Sequence, residues 1–451
     1  MSIWVRLGLI LLSSVLGILV FPPFGLWWLA VVAWVPLFFA VQGLSPRPAF
    51  YAGLGQGLIL YAVTLSWLWG LFGASSIALW IVVAAFVGLA CALMSALKLK
   101  GYWGSFLGAS IWVGCEFFRS EIYALHFPWI TPGTGLAPSF FSPVIGVYGL
   151  SFLVIFGSLL VREKGQNRNM GLLWLGLVLL AGFTRQSDPE GDISVLAVQN
   201  EEGSFEEKFQ QTVNAYDGHA AIVWPELSLG RELDEVEENK KKLLEYSTQT
   251  GAVMVVGGYV DSREEQPYNA AITLEGGEVV GTHFKNRPVP LFNDGKKGTE
   301  AKALKTSVGV IGTPICFDCD HESVIRNMVT DGAQVILAPS LDAIHWSARQ
   351  HDQHAELFRH RAAENGRWIV VAASSGRSQI IDSYGNRVAT IPLMEPGVLE
   401  GKVKLESSRT IYNRFGWLIG WVCLATAGFS LVMVVFRAIR RKFSARKRSE
   451  L

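Results

Sequence analysis

Apolar residues run almost without interruption through the first 184 positions, and then the pattern changes. Runs near 3–21, 25–43, 51–72, 76–97, 102–118, 140–161 and 170–184, and another at 415–436, approach the roughly 20 apolar residues a helix needs to cross a bilayer. Between Ile193 and about Lys404 the apolar stretches shorten and alternate with polar, helix-like ones. Segments 194–199, 221–224, 253–259, 270–274, 308–315, 335–338 and 368–373 read as strands. Most are continuously apolar, as expected of a sheet covered on both faces. Helices are expected over 233–249 and 351–365, ended by Gly251 and Gly366. A hairpin turn is expected at 382–386. The pattern predicts an α-helical membrane domain of about eight transmembrane helices, seven within 1–184 and one at 415–436. It also predicts a layered α/β domain over 190–406 and a tail at 437–451.

Composition supports that division. Of 451 residues half are hydrophobic and 17% are charged, against about 25% charged in average soluble proteins, and the mean hydropathy is +0.32. Acidic residues before position 185 are confined to Glu116, Glu121 and Glu163. The segment Phe21-Pro22-Pro23-Phe24-Gly25 offers no small-residue cleavage site, so the first apolar run is expected to be retained. Basic residues occupy every second short loop: Arg6; Arg47; Lys98 and Lys100; Arg162, Lys164 and Arg168; and then the tail from Arg437 to Arg448. The intervening loops carry none, apart from Arg119. By the positive-inside rule both termini are cytoplasmic and the 190–406 domain faces outward. A net charge of +1 with its basic residues at loop ends and the C-terminus gives no footprint for nucleic acid. Five cysteines, three of them (Cys91, Cys115, Cys423) in apolar runs, argue against a disulfide framework.

Three short stretches carry candidate chemistry: Val223-Trp224-Pro225-Glu226, Phe284-Lys285-Asn286-Arg287 and Pro314-Ile315-Cys316-Phe317-Asp318. Each follows a strand-like run, where side chains emerge at the rim of an α/β sheet, and Pro225 marks a strand end. A thiol that attacks, a carboxylate that moves protons and an ammonium that stabilises an oxyanion make a complete set for acyl transfer through a thioester. Each residue also has a duller reading: a solvated glutamate, a surface lysine, a cysteine serving as a small buried hydrophobe. Cys316 and Cys319 form a Cys-x-x-Cys pair, but a redox pair belongs at a helix N-terminus. A zinc site from Cys316, Cys319 and His321 lacks a second ligand pair. His345, His351, His354 and His360 read as helix-surface histidines near the site mouth, without an HExxH motif. No metal and no other cofactor are expected. Residues 341–350, with Trp346, form a candidate lid.

The three motifs resemble the nitrilase superfamily with its Glu-Lys-Cys triad. Phe127-Pro128-Trp129 and Gly146-Val147-Tyr148-Gly149-Leu150-Ser151-Phe152, followed by such a domain and one last span, resemble the apolipoprotein N-acyltransferase family over essentially the whole chain. The resemblance implies an αββα nitrilase-like sandwich in which Cys316 is the nucleophile, taking an acyl chain from a phospholipid. The acceptor would be the N-terminal amine of diacylglyceryl-cysteine of an apolipoprotein. Glu226 would be the general base, and Lys285 and the backbone N–H following Cys316 the oxyanion donors. The nearby ammonium would favour the thiolate, with Trp224, Phe317, Asp318 and Asp294 in support. It also implies the inner membrane, with the catalytic domain on the periplasmic face. This chain departs from the family pattern at Asn293, where a second glutamate is normal, leaving Asp294 one position along as a substitute. Phe317-Asp318 replaces a Tyr-Glu pair, and the loop from Lys285 to Cys316 is short. A membrane-anchored nitrilase-type amidase using water, and a catalytically degenerate lipoprotein-binding paralogue, are the alternatives.

Overall fold

The computed structural model describes residues 1–184, 186–230, 232–261 and 266–449, so the last two residues of the expected tail lie outside the described residues. The chain forms two compact units, Met1–Ala137 with Ile145–Thr184 and Gly416–Leu451, and Pro138–Val144 with Arg185–Phe415.

The first unit is helical: α1 (Ile3–Val20), α2 (Ala30–Ala33), α3 (Val35–Val41), α4 (Pro46–Thr64), α5 (Leu68–Phe72), α6 (Ser75–Ala96), α7 (Gly101–Phe117), α8 (Ser142–Arg162) and α9 (Gln166–Phe183). Among the described residues four helices are long and apolar enough to cross a membrane: α1, α6, α8 and the C-terminal Tyr412–Arg441. The apolar run expected as one span at 25–43 is broken into short pieces around Trp34, with Pro36 in the first turn of α3, where a missing N–H is tolerated. The run expected at 51–72 is divided between α4 and α5. Packing here has the character of helices in lipid, where backbones approach through small residues because apolar side chains gain little by leaving hydrocarbon. A Cβ on Gly53 of α4 would lie 2.8 Å from the Val87 carbonyl oxygen of α6, and one on Gly88 of α6 would lie 2.9 Å from the Phe50 oxygen. Outward-facing positions are correspondingly apolar, Trp4, Leu173 and Phe429 among them.

The second unit stacks two six-stranded sheets. One has the order β12-β1-β2-β3-β4-β5 and the other β11-β10-β9-β8-β7-β6. The first sheet holds β1 (Ile193–Gln199), β2 (Ala221–Val223), β3 (Val253–Val260), β4 (Tyr268–Glu275) and β5 (Glu278–Phe284), closed by β12 (Gly397–Val403). The second holds β6 (Leu304–Thr306), β7 (Gly309–Gly312), β8 (Val335–Ser340), β9 (Trp368–Ala373), β10 (Gln379–Ile381) and β11 (Arg387–Thr390). Strands β1–β3 and β7–β9 run parallel at the centre of their sheets. Along β1, Val195 and Ala197 enter the core between the sheets while Leu196 and Val198 enter the core under α10 (Phe205–Ala215) and α11 (Leu233–Thr250). In the second sheet Ile336 and Ile369 pack under α12 (Glu322–Thr330) and α13 (Ala348–Asn365). Burial of both faces explains why these strands are continuously apolar, and the layers are the αββα sandwich that the resemblance implies. Gly251 and Gly366 end α11 and α13 in the left-handed region, as their positions in the sequence predict. The expected strand at 308–315 stops at Gly312 because the chain turns there toward a tight elbow. From Leu418 the chain continues as α14 (Leu418–Ser449), whose close contact with α7 requires Gly114.

Gln199, fully buried at the end of β1, joins the two layers. Its amide nitrogen donates to the Pro392 and Glu395 carbonyls at 2.7 and 2.9 Å, and its oxygen accepts from the Ser378 N–H at 3.0 Å. Gln199→Leu would strand these backbone groups, at about 1–3 kcal/mol each. We expect a lowered Tm by calorimetry of the detergent-solubilised chain; an unchanged Tm would mean the groups find other partners.

Candidate active site

Glu226 leaves the end of β2 on a loop pressed against β3. Trp224 extends the ladder by donating to the Val255 carbonyl at 2.9 Å, and Leu229 does the same to Gly257. A Cβ on Gly257 would sit 2.5 Å from the Glu226 Cα, so only glycine admits this approach. The Trp224 ring is buried in the helix-side core with its indole N–H on Thr212, which makes it a packing residue and not part of the polar cluster. Lys285 follows β5, held by its own N–H on the Asn269 carbonyl of β4 at 2.8 Å.

These two side chains meet inside the protein. Lys285 donates to Glu226 Oε1 at 2.7 Å, and both are almost completely buried. The ammonium also contacts Asp294 Oδ2 at 2.8 Å. Asn269 bridges the carboxylates, donating to Glu226 Oε1 at 2.6 Å and Asp294 Oδ1 at 2.8 Å. Asn293 is exposed. The second carboxylate beside the lysine is therefore supplied by Asp294, one position along, because the 289–294 turn closes with the Val289 N–H on Asp294 Oδ2 at 2.8 Å.

Cys316 sits at the start of a single 3-10 turn (Cys316–Asp320) with φ +47, a left-handed conformation that a non-glycine residue adopts at strain. Its thiol donates to the Leu341 carbonyl at 3.6 Å, while the Leu341 N–H donates to Glu226 Oε2 at 2.9 Å. One residue after β8 thus contacts both the sulfur and the carboxylate. Burial raises the Cys316 pKa well above the ordinary thiol value, Glu226 adds to the rise, and Lys285 opposes it. The ammonium thus pulls toward the thiolate, as expected, while burial and the Glu226 charge pull the other way and set the net direction. Burial also raises the Glu226 pKa against the opposing pull of Lys285, making it a stronger base than an exposed glutamate. For Lys285, burial by itself lowers the pKa, but Glu226 and Asp294 more than reverse this and keep it charged.

Asp318 fastens the elbow to the lysine loop. Its two oxygens accept from the N–H groups of Asn286, Arg287 and Ile315 and contact His283 Nε2 at 2.9 Å. Phe317 packs edge-on against His321, ring centroids 5.0 Å apart. Cys319 lies in the core beneath α12 whereas Cys316 belongs to the core between the sheets, so the Cys-x-x-Cys spacing does not bring the sulfurs together. Among the described residues no group of three or more His, Cys, Asp or Glu side chains is arranged to hold a metal. The loop expected as a lid touches the Asp294 turn through Trp346 and Phe292, centroids 5.7 Å apart.

Of the four histidines read as surface residues, His345 is exposed, whereas His351, His354 and His360 are at most 2% exposed. His354 lies between two carboxylates, its Nδ1 2.7 Å from Asp342 and its Nε2 3.1 Å from Asp320. It joins the elbow to the residue after Leu341. The sequence showed only a polar helix, and polarity reads as exposure unless the partners are known. Burial by itself would lower the His354 pKa, but Asp342 and Asp320 raise it well above 6.5.

Residues 188–413 match the Carbon-nitrogen hydrolase family. The chain belongs to that family. In the helical half, residues 13–160 match the Apolipoprotein N-acyltransferase N-terminal domain. The chain is 28% identical to the apolipoprotein N-acyltransferase of Geobacter metallireducens, the match covering 96% of this chain and 95% of the relative. It is 26% identical to the one of Pseudomonas syringae pv. tomato, covering 94% and 96%. Among solved structures, an amidase from Nesterenkonia sp. aligns at 18% identity and TM-score 0.43, covering 51% of this chain and 95% of that one.

A raised folded pKa means His354 contributes stability fully below its unfolded value near 6.5 and loses it as pH rises through the higher folded value. The Tm deficit of His354→Gln should accordingly be largest under mildly acidic conditions and shrink with increasing pH. A deficit independent of pH would assign the imidazole a neutral, packing role.

Proposed function

We propose that the chain is a membrane acyltransferase of the apolipoprotein N-acyltransferase type, passing a fatty acyl group through a thioester on Cys316. The observation that carries this is the buried Glu226–Lys285–Asp294 cluster joined to the Cys316 elbow through Leu341. The near-full-length similarity to apolipoprotein N-acyltransferases supports the same reading. Glu226 takes the Cys316 proton, and the sulfur attacks the ester carbonyl of a phospholipid. Lys285 and the Phe317 N–H stabilise the tetrahedral oxyanion. Collapse expels the lysophospholipid alkoxide, which takes the proton back from Glu226, leaving the acyl-thioester. The α-amine of a diacylglyceryl-cysteine on an apolipoprotein then attacks and gives a proton to Glu226. The amide forms, the thiolate leaves, and Glu226 reprotonates it. Asp294 keeps Lys285 charged and aimed, and Asp318 holds the elbow.

In this reading the protein spans the inner membrane several times, with residues 1–184 and 415–436 providing the spans. Both termini are cytoplasmic and the catalytic domain, 190–406, lies on the outer face. The alternation of basic loops supports that orientation.

Cys316→Ala should abolish transfer, and the native chain given labelled phospholipid without acceptor should accumulate a hydroxylamine-sensitive label on Cys316. Rapid release of free fatty acid in place of a trapped thioester would instead make the protein a hydrolase. Lys285→Ala removes an oxyanion donor and should slow thioester formation by roughly two to three orders of magnitude; near-native rates would remove that role.

Asp294→Asn should impair the same step strongly while Asn293→Ala leaves it near native. The reverse outcome, read by single-turnover labelling, would return the second-carboxylate position to residue 293.

A further inference from the structure

The helical unit carries a second polar feature, unrelated to the cysteine centre. A cavity of about 1090 Å³ opens where α3, α6 and α8 end, where α4 and α7 begin, and where α14 passes. Six basic residues line it: Lys98, Lys100, Arg162, Lys164, Arg437 and Arg441. The single acidic residue in the lining, Glu163, is engaged by Arg162 at 2.7 Å. Arg162 also donates to the Leu99 carbonyl, so its charge serves the α7 approach. Among the described residues no ion pair engages the other five cations.

Two further observations give the cavity the character of an anion site. The N-termini of α4 and α7 lie in its wall at Ser45, Pro46 and Lys100, without a side-chain cap and without an acidic residue in the first turn. The first-turn N–H groups of α7 and both helix dipoles favour negative charge, although α4, with Pro46 and Pro48 in its first turn, adds only the Arg47 N–H. Apart from Gln42, Ser45 and Ser95, the rest of the wall is apolar, with Leu44, Met94, Leu97 and Val434 in it. A free phosphate has no use for that apolar surface, whereas a phospholipid sets its phosphodiester among the cations and its glycerol and acyl carbons against the leucines and methionine. We propose that this cavity binds the headgroup of an anionic phospholipid from the surrounding bilayer. Basic pockets between transmembrane helices are suited to such headgroups. The site tethers α14 to the ends of α6 and α8 through a lipid.

The test uses the full chain in detergent, with phosphatidylglycerol, phosphatidylcholine or inorganic phosphate added separately. Readouts are Tm and lipid retained in native mass spectrometry. Phosphatidylglycerol should raise Tm, and Lys98→Gln/Lys100→Gln/Arg441→Gln should weaken its apparent affinity by about a hundredfold. Any binding at the cysteine centre is common to both proteins and cancels in the difference. Equal stabilisation by phosphatidylcholine, undiminished affinity in the variant, or a full Tm rise with inorganic phosphate alone would each overturn the proposal. Should the triple variant fold poorly, Arg437→Gln/Arg441→Gln on exposed turns of α14 decides, with about a tenfold loss expected.

Discussion

One ammonium held between two buried carboxylates organises the α/β domain. Removing charges from water costs several kcal/mol per ion unless geometry and hydrogen bonds compensate, and here the compensation is drawn from distant segments. Lys285 comes from the end of β5, Glu226 from β2 and Asp294 from the turn that follows. Their remaining oxygen valences are met by the Asn269 amide on β4, the Val289 N–H and the Leu341 N–H after β8. Loss of any one partner leaves an uncompensated charge, so the cluster sets the relative positions of loops from both sheets.

The Cys316 sulfur lies against that arrangement through Leu341. Burial raises the Cys316 pKa most, the Glu226 and Asp342 charges add to it, and Lys285 opposes them. In the proposed reaction, activation of the sulfur is assigned to Glu226, whose own pKa burial has raised. Around this centre Asp318 ties the elbow to the lysine loop, and His354 ties its far end to Asp342. The strained φ of Cys316 is sustained because these flanking contacts over-determine it.

Much of the domain could be anticipated from local pattern. Continuous apolar runs marked the central strands of both sheets, and Gly251 and Gly366 marked helix ends, because burial on both faces and the left-handed C-cap each leave a local signature. The edge strands β6 and β12 carried too weak a signature to stand out, whereas α10, with its Ser204–Glu207 capping box, and the amphipathic α12 carried signals that the sequence reading passed over. The apolar run at 25–43 showed its hydrophobicity but not its interruption near Trp34. The polar α13 misled: its histidines pair with carboxylates inside the protein, and no spacing rule distinguishes a satisfied buried histidine from a solvated one.

Residue chemistry and short-range pattern alone determined the division into membrane helices and an α/β domain, and singled out Glu226, Lys285 and Cys316. Those properties depend on what each segment is made of. Which carboxylate stands beside Lys285, in which direction burial and charge push the Cys316 thiol, and that Trp224 packs while Leu341 bonds to both sulfur and carboxylate were decided only by the tertiary structure. Each depends on through-space distances between residues dozens of positions apart, where a one-residue shift of a turn moves Asp294 into the interior and leaves Asn293 outside.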